Sequence, residues 1–277
     1  MGLRHKYDLA ILLRCVKLAR SSFYYYSKQR DKVDKYDGTK VQISAIYHQH
    51  KGRFGYRRIT LMLQKHGLAI NHKTVYSLMK ILKLKSVIRA KRYKSYKGEQ
   101  GKVAPNILNR MFSSQQPNQK WATDITEFNV LGKKLYLSPI IDLYNQEIIS
   151  YEISERPDFK TVMSMINKAF NKVTQTEALL IHSDQGWHYQ MKQYQKVLIQ
   201  KGITQSMSRK GNCLDNAVIE NFFGILKSEL YYLKKYSSID QLKTEIKEYI
   251  KYYNNDRIKL NLKGMSPVEY RTHHYST

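Results

Sequence analysis

Cysteine is nearly absent from this 277-residue chain: Cys15 and Cys213 are its only two, and they lie far apart. That excludes a zinc framework and a disulfide scaffold, and it suits a reducing cytoplasm. Long apolar runs are missing too. None approaches the roughly eighteen residues needed to cross a bilayer, so no membrane is expected as a partner. The short stretch Leu9–Leu13 is interrupted by Arg14 and Lys17 and leads to no small-residue cleavage pattern, so no signal peptide is read. Acidic residues are the third scarcity. The chain has 22 Asp and Glu against 48 Lys and Arg, a net +26. Residues 1–110 carry 26 basic and 5 acidic side chains, whereas residues 111–277 carry 22 and 17. The positive charge is thus a property of the N-terminal part. Such a segment attracts a polyphosphate by releasing its counterions, and nucleic acid is the expected partner.

With 42% hydrophobic residues the chain can bury a sizeable core. Its pattern divides into an N-terminal helical segment (1–39), a three-helix segment (40–97), a linker (98–118) and an alternating strand–helix region (119–277). Within the second segment, Ile59, Met62 and Leu63 recur at helical spacing and the pattern stops at Gly67. Asn71 is placed to cap a further helix running to about Leu82. On that helix Val75, Leu78, Met79 and Leu82 share one face, and Lys73, Tyr76, Ser77 and Lys80 share the other. Two helices joined by a short glycine-containing turn predict a helix-turn-helix. Arg57, Arg58, Lys73, Tyr76, Ser77 and Lys80 are then the candidate DNA contacts. A small helical bundle with a solvated face has the same pattern. The stretch Lys83–Lys97 interleaves bases with Tyr93 and Tyr96. It reads as a backbone-tracking connector or as an ordinary linker.

The C-terminal part predicts an α/β fold with a mixed five-stranded sheet. Strands are expected over Trp121–Val130, Lys134–Asp142, Glu147–Ile153, Ala178–His182 and Ile203–Met207, with helices over Thr161–Val173 and Met191–Lys201. Three carboxylates fall at suggestive places. Asp124 lies within the first strand and Asp184 just past the fourth. Glu220 lies on the next helix, opposite a core-facing stripe of Val218, Phe222, Ile225 and Leu226. Lys227 follows Glu220 by two helical turns and so stands nearly above it. Phosphodiester transfer needs charge neutralised on both the attacking and the leaving oxygen. Two Mg²⁺ ions meet that need, and a small set of carboxylates can hold them.

These residues carry a family resemblance. Trp121-Ala122-Thr123-Asp124-Ile125-Thr126, His182-Ser183-Asp184-Gln185-Gly186 and Gly211-Asn212-Cys213-Leu214-Asp215-Asn216-Ala217 through Glu220-Asn221-Phe222-Phe223 resemble the three motifs of integrase-type insertion-sequence transposases. Thirty-five residues separate Asp184 from Glu220, the interval typical of that family and of retroviral integrases. Tyr252-Tyr253-Asn254-Asn255-Asp256-Arg257 and Ser266-Pro267-Val268-Glu269-Tyr270-Arg271 resemble the family's C-terminal end. The resemblance spans roughly residues 40 to 271. It implies an RNase H-like core in which Asp124, Asp184 and Glu220 bind two Mg²⁺ or Mn²⁺ ions. It further implies nicking of an element end by water and joining of the 3′-hydroxyl to target DNA. The chain is similar to the second-frame product of two-frame elements, which implies a first-frame protein as partner and a homo-oligomer on DNA. Arg257-Ile258-Lys259 departs from the Arg-x-His common in the family.

Other residues have competing readings. Asp142 is the expected decoy acid, at a strand end before a turn. His182 is read as structural rather than as a neighbour serving Asp184. Asp215 is read as a turn residue or N-cap. Arg209 and Lys210 sit in a loop that grips DNA or merely connects, and with Lys227 they complete the candidate DNA contacts. Besides a transposase, the sequence allows a DNA-binding regulator that lacks the chemistry, or a nuclease that cleaves without joining.

Overall fold

The computed structural model describes residues 6–30, 34–87, 103–173 and 178–276. Tyr93 and Tyr96 lie outside the described residues. The N-terminal segment forms α1 (Leu9–Cys15) and α2 (Arg20–Arg30), and the three expected helices are α3 (Asp37–Gln49), α4 (Tyr56–Lys65) and α5 (His72–Ile81). Asn71 caps α5 as expected, its side chain accepting the Lys73 N–H at 2.8 Å. Gly67 ends α4 with φ +83°, the left-handed conformation that closes a helix C-terminus. Val75, Leu78 and Met79 turn inward against Ile43, Ile46, Phe54, Ile59 and Leu63. One further member of this core, Ile258, comes from the far end of the chain. The helical segment is therefore completed by the C-terminal tail and does not stand apart from it.

The sheet has six strands rather than the expected five, because Trp121–Val130 is broken. It forms β1 (Lys120–Thr123) and β2 (Thr126–Val130). Both pair antiparallel with β3 (Lys133–Asp142): Thr123 stands opposite Ile140, and Thr126 opposite Leu137. Asp124-Ile125 and Ser138-Pro139 are left between the two ladders. Pro139 has no N–H to donate, and its carbonyl accepts the Thr123 hydroxyl at 2.9 Å. The Asp124 carboxylate in turn accepts the Ile125 N–H at 2.7 Å, a local bond that competes with strand pairing. The ladder thus fails at the candidate acid itself.

On its other side β3 pairs with β4 (Ile148–Ser154). Beyond β1 lie β5 (Leu180–Ser183) and β6 (Thr204–Met207), both parallel to it. The parallel crossovers run through helices, as they must. These are α6 (Phe159–Phe170) before β5, then α7 (Trp187–Gln190) and α8 (Lys192–Gln200) before β6. Val162, Met165, Ile166, Tyr189, Tyr194 and Leu198 cover one face of the sheet. The other face is covered by α9 (Ala217–Glu229) and α10 (Ile239–Asn255), with Ile219, Phe222, Phe223, Leu226, Ile246 and Tyr253 in the core. A last helix, α11 (Pro267–Ser276), ends the described chain. With helices on both faces, β3 is buried from Leu137 onward, as expected for a central strand. Among the described residues no helix is long and apolar enough to cross a membrane.

Candidate active site

Parallel pairing of β1 with β5 sets Trp121 beside Ile181 and Ala122 beside His182. The same register carried two residues on sets Asp124 beside Asp184, each one residue past its strand. Hydrogen-bonded strands lie about 4.8 Å apart, so the two acids share one end of the sheet. Asp184 Oδ1 accepts the Gly186 N–H at 2.9 Å. A Cβ on Gly186 would meet that same oxygen at 2.9 Å and the Tyr189 ring at 3.3 Å. The Asp-Gln-Gly turn therefore has room for no side chain at its third position.

Glu220 arrives from the opposite layer, in the first turn of α9. Two contacts fix that turn. The Asn216 side-chain amide donates to the Thr123 carbonyl at 3.2 Å, tying the helix start to the end of β1. Just before it, the carboxylate of Asp215 is fully buried. It accepts from Arg209 at 2.8 and 2.9 Å, from Arg110 at 2.8 Å and from the Asn106 amide at 2.9 Å. These bonds, with the Arg209 guanidinium foremost, hold its pKa well below the usual carboxylate range. Asp215 is thus neither an N-cap nor a simple turn residue. It is the anchor of the loop that delivers Glu220. The core stripe of α9 also differs in detail from the expected one. Ile219 and Phe223 join Phe222 and Leu226 in full burial, whereas Val218 and Ile225 are half-buried.

Burial and mutual repulsion destabilise charge on the two aspartates. Asp124 is raised well above the usual carboxylate range, first by desolvation, then by the charge of Asp184; Glu220 pushes the same way. The Ile125 N–H and the Lys227 ammonium oppose the shift. Asp184 is also raised, by desolvation, against the Gly186 N–H and His188. Lys227 lies half-buried over the Phe128 ring, its Nζ 5.2 Å from the centroid. Desolvation lowers it to about 8, against the pull of Glu127 and Asp124. A divalent cation fits this donor set, since hard oxygen ligands are present and positive charge would relieve the repulsion. Among the described residues no three His, Cys, Asp or Glu side chains close into a ready cage. An ion here would keep water or substrate oxygens in its shell, as Mg²⁺ commonly does.

The other candidates separate clearly. On α5, Lys73, Tyr76, Ser77 and Lys80 are all exposed, as is Arg57 on α4. Arg58 is not on that face: it lies 3.9 Å from the buried Glu229 carboxylate and donates to the Arg53 carbonyl. Arg209 and Lys210 are both exposed, and Arg209 is in addition engaged by Asp215. His182 is fully buried between two serine hydroxyls, Ser206 at 2.9 Å and Ser208 at 3.0 Å. Burial lowers it to about 4, so it is neutral and structural. Asp142 accepts the N–H groups of Asn118 and Tyr144 at 2.7 and 2.8 Å. It pairs with Trp121, three residues before Asp124, and so marks the far end of β1. Tyr189 was not singled out in the sequence; its buried hydroxyl lies 3.4 Å from that of Thr123, the residue before Asp124, and the charges of Asp184 and Asp124 both act on it. An aromatic in a short helix carries no sequence signal that separates it from ordinary core.

Comparison with known proteins accords with this architecture. Residues 36–92 match an HTH-like domain, and residues 114–213 and 220–275 match two integrase core domain families. The chain is therefore an integrase core behind an HTH-like domain. The putative transposase InsK for insertion sequence element IS150 of Escherichia coli is 55% identical over 273 residues, which cover 99% of this chain and 96% of that one. A transposase-like protein of Haemophilus influenzae is 51% identical over 205 residues, covering 74% of this chain and 94% of its own. Among solved structures, the HTLV-2 integrase catalytic core domain in complex with magnesium matches with a TM-score of 0.47 and 18% identity, over 57% of this chain and 98% of that one. On the strength of the close relatives, this chain belongs to the insertion-sequence transposases.

Proposed function

We propose that the chain cleaves DNA at the ends of its element and transfers the 3′ strand to target DNA, with Asp124, Asp184 and Glu220 as the catalytic acids. The observation that carries this reading is the level placement of Asp124 and Asp184 at neighbouring parallel strand ends, with the charge of Glu220 reaching Asp124. These acids would hold two Mg²⁺ or Mn²⁺ ions, whose chemistry is to neutralise the attacking and leaving oxygens of an in-line displacement. The chain's own groups supply the rest. Asp124 and Asp184 are fixed by the sheet, and Glu220 is carried in by α9. Lys227 offers a cation for a phosphate close to Glu220. The exposed face of α5, with Arg57, meets the terminal repeat in a DNA groove, and Lys210 meets the backbone near the site. Two element ends must be brought together, so the working form is a homo-oligomer on DNA, with a first-frame protein as partner.

A DNA-binding regulator is the second reading, favoured by the absence of a closed three-ligand cage among the described residues. The test is a strand-transfer assay with a labelled 3′-hydroxyl end in Mg²⁺ or Mn²⁺, comparing wild type with Asp184→Asn. First-frame protein is added in a parallel tube. Metal-dependent joined product that vanishes in the variant is the expected result. Cleavage without joining points to a nuclease, and tight DNA binding without chemistry points to the regulator.

A further inference from the structure

Six buried side-chain polar atoms among the described residues have no hydrogen-bond partner, and three of them belong to side chains that adjoin the two aspartates along the chain or bond to a residue next to one. Thr126 Oγ1 lies two residues after Asp124, and Thr126 is 2% exposed. Asn216 Oδ1 belongs to the side chain whose amide holds the Thr123 carbonyl, the residue before Asp124. Gln190 Oε1 belongs to the side chain whose amide holds the Gln185 carbonyl, the residue after Asp184. Strand period places Thr126 on the same face as Phe128, and the Phe128 ring lies under Lys227 of α9. Thr126 therefore faces the helix that carries Glu220.

Buried polar atoms are almost always paired, and each exception asks for an unseen water or ion. Asn216 Oδ1 and Gln190 Oε1 only accept, whereas the Thr126 hydroxyl can donate or accept and still has no partner. A carboxylate cannot satisfy an amide oxygen, since both accept. Water can, by donating to the orphan oxygen while its own oxygen turns toward a cation. We infer that Thr126 and Asn216 hold hydration water of a divalent cation at Asp124, and that Gln190 does the same beside Asp184. This rests on the metal-dependent reading of the acids. It makes Thr126, Asn216 and Gln190 positioning residues that act through water rather than direct ligands.

Thr126→Val is the decisive variant, because it removes the hydroxyl and keeps the shape. Mn²⁺ binding to the full chain is measured by electron paramagnetic resonance. Water-proton relaxation reports the water on the bound ion, and melting is followed without metal. Outer-shell partners of metal ligands are commonly worth 10- to 100-fold in affinity, so Thr126→Val is expected to weaken Mn²⁺ binding about tenfold. Its metal-free melting temperature should equal or exceed wild type, since an unpaired buried hydroxyl has been replaced by an apolar isostere. Thr126→Ser should bind as wild type, and Asn216→Ala should weaken binding in the same direction. Wild-type affinity and relaxivity in Thr126→Val would overturn the inference. Asp184→Asn separates the two levels. If it loses Mn²⁺ while Thr126→Val keeps it, the hydration role alone fails; if both keep it, the metal reading fails with it.

Discussion

Asp124 and Asp184 stand level with each other, each one residue beyond the C-terminal end of two hydrogen-bonded parallel strands. The ladder that aligns them also prevents them from moving apart. Folding therefore brings two carboxylates together and desolvates both, and each is pushed above the usual carboxylate range. A folded-state pKa above the unfolded one means that the native state binds more protons. The pair's cost is absent below the unfolded value and grows as pH rises through the folded one.

Asp124→Asn removes one of the two charges. In metal-free buffer at neutral pH it is expected to melt higher than wild type, and the gap should close as the pH falls toward 4. Strand transfer in the same variant should fall below detection. Calorimetry across pH, with and without Mg²⁺, checks both halves. A variant that melts lower than wild type throughout would remove the repulsion argument.

Asp215 gives a prediction of the opposite sign. Its carboxylate is fully buried and joined to Arg209 and Arg110, so its folded pKa is depressed. That contribution is present above the unfolded value of about 3.9 and is lost as pH falls below it. Asp215→Asn should destabilise the chain at neutral pH by about 1.5 kcal/mol, because it weakens charge-assisted hydrogen bonds to two arginines that are themselves solvent-exposed. Its stability should also fall less steeply in acid than that of wild type. The same variant should lower strand transfer more than DNA affinity, because the loop it anchors delivers Glu220 and offers DNA Lys210, whereas the exposed face of α5 supplies the groove contacts. Urea unfolding at several pH values and fluorescence anisotropy measure the two effects.

Legibility in the sequence tracked how local each feature is. The Asn71 cap and the inward face of Val75, Leu78 and Met79 follow from spacing and one side-chain bond, and all stand as read. Most strand positions were visible as apolar runs. The break at Asp124-Ile125 was not, because it depends on Pro139 in a neighbouring strand lacking a donor at that level. The neutrality of His182 was legible only as a preference, since its two serine partners lie 24 and 26 residues away. The acid partners of Arg58 and Arg209, both candidate DNA contacts, were not legible in the sequence for one reason. A basic side chain in a basic segment looks free until its acid is found, and Glu229 and Asp215 are brought to them only by the fold. Ile258 completing the helical core lies almost two hundred residues from its partners, beyond the reach of any periodicity.

Lys227 should make DNA binding depend on pH near 8. Desolvation lowers its pKa to about 8 in the free chain, so its positive charge is present at pH 7 and lost as pH rises to 9. A phosphate bound beside it favours the charged form, and binding above pH 8 should therefore take up a proton. Wild-type affinity for a short precut end is expected to decline between pH 7 and 9. Lys227→Arg, whose guanidinium stays charged, should flatten that decline. Anisotropy titrations across this range decide it. Parallel declines in both proteins would show that Lys227 does not contact the DNA.

The helical face and the buried cluster beneath it can be told apart by salt. Lys73 and Lys80 are exposed on α5, while Arg58 is turned toward Glu229, which also receives Arg257 at 2.6 and 2.9 Å. A lysine that neutralises a phosphate releases about one counterion, so Lys80→Ala should weaken binding and reduce the slope of log affinity against log salt by about 0.9. Its unfolding free energy should stay within about 0.5 kcal/mol of wild type, as expected for a surface change. Arg58→Ala should leave the salt slope unchanged. It removes a bond to the Arg53 carbonyl and an attraction to a buried carboxylate, and should cost about 1.5 kcal/mol of stability. The loss stays moderate because Arg257 remains to hold Glu229. Titrations between 50 and about 200 mM salt, with urea unfolding alongside, separate the two residues. If Arg58→Ala lowered the salt slope and left stability untouched, Arg58 would belong to the DNA face after all, and the inward contact with Glu229 would open when DNA binds.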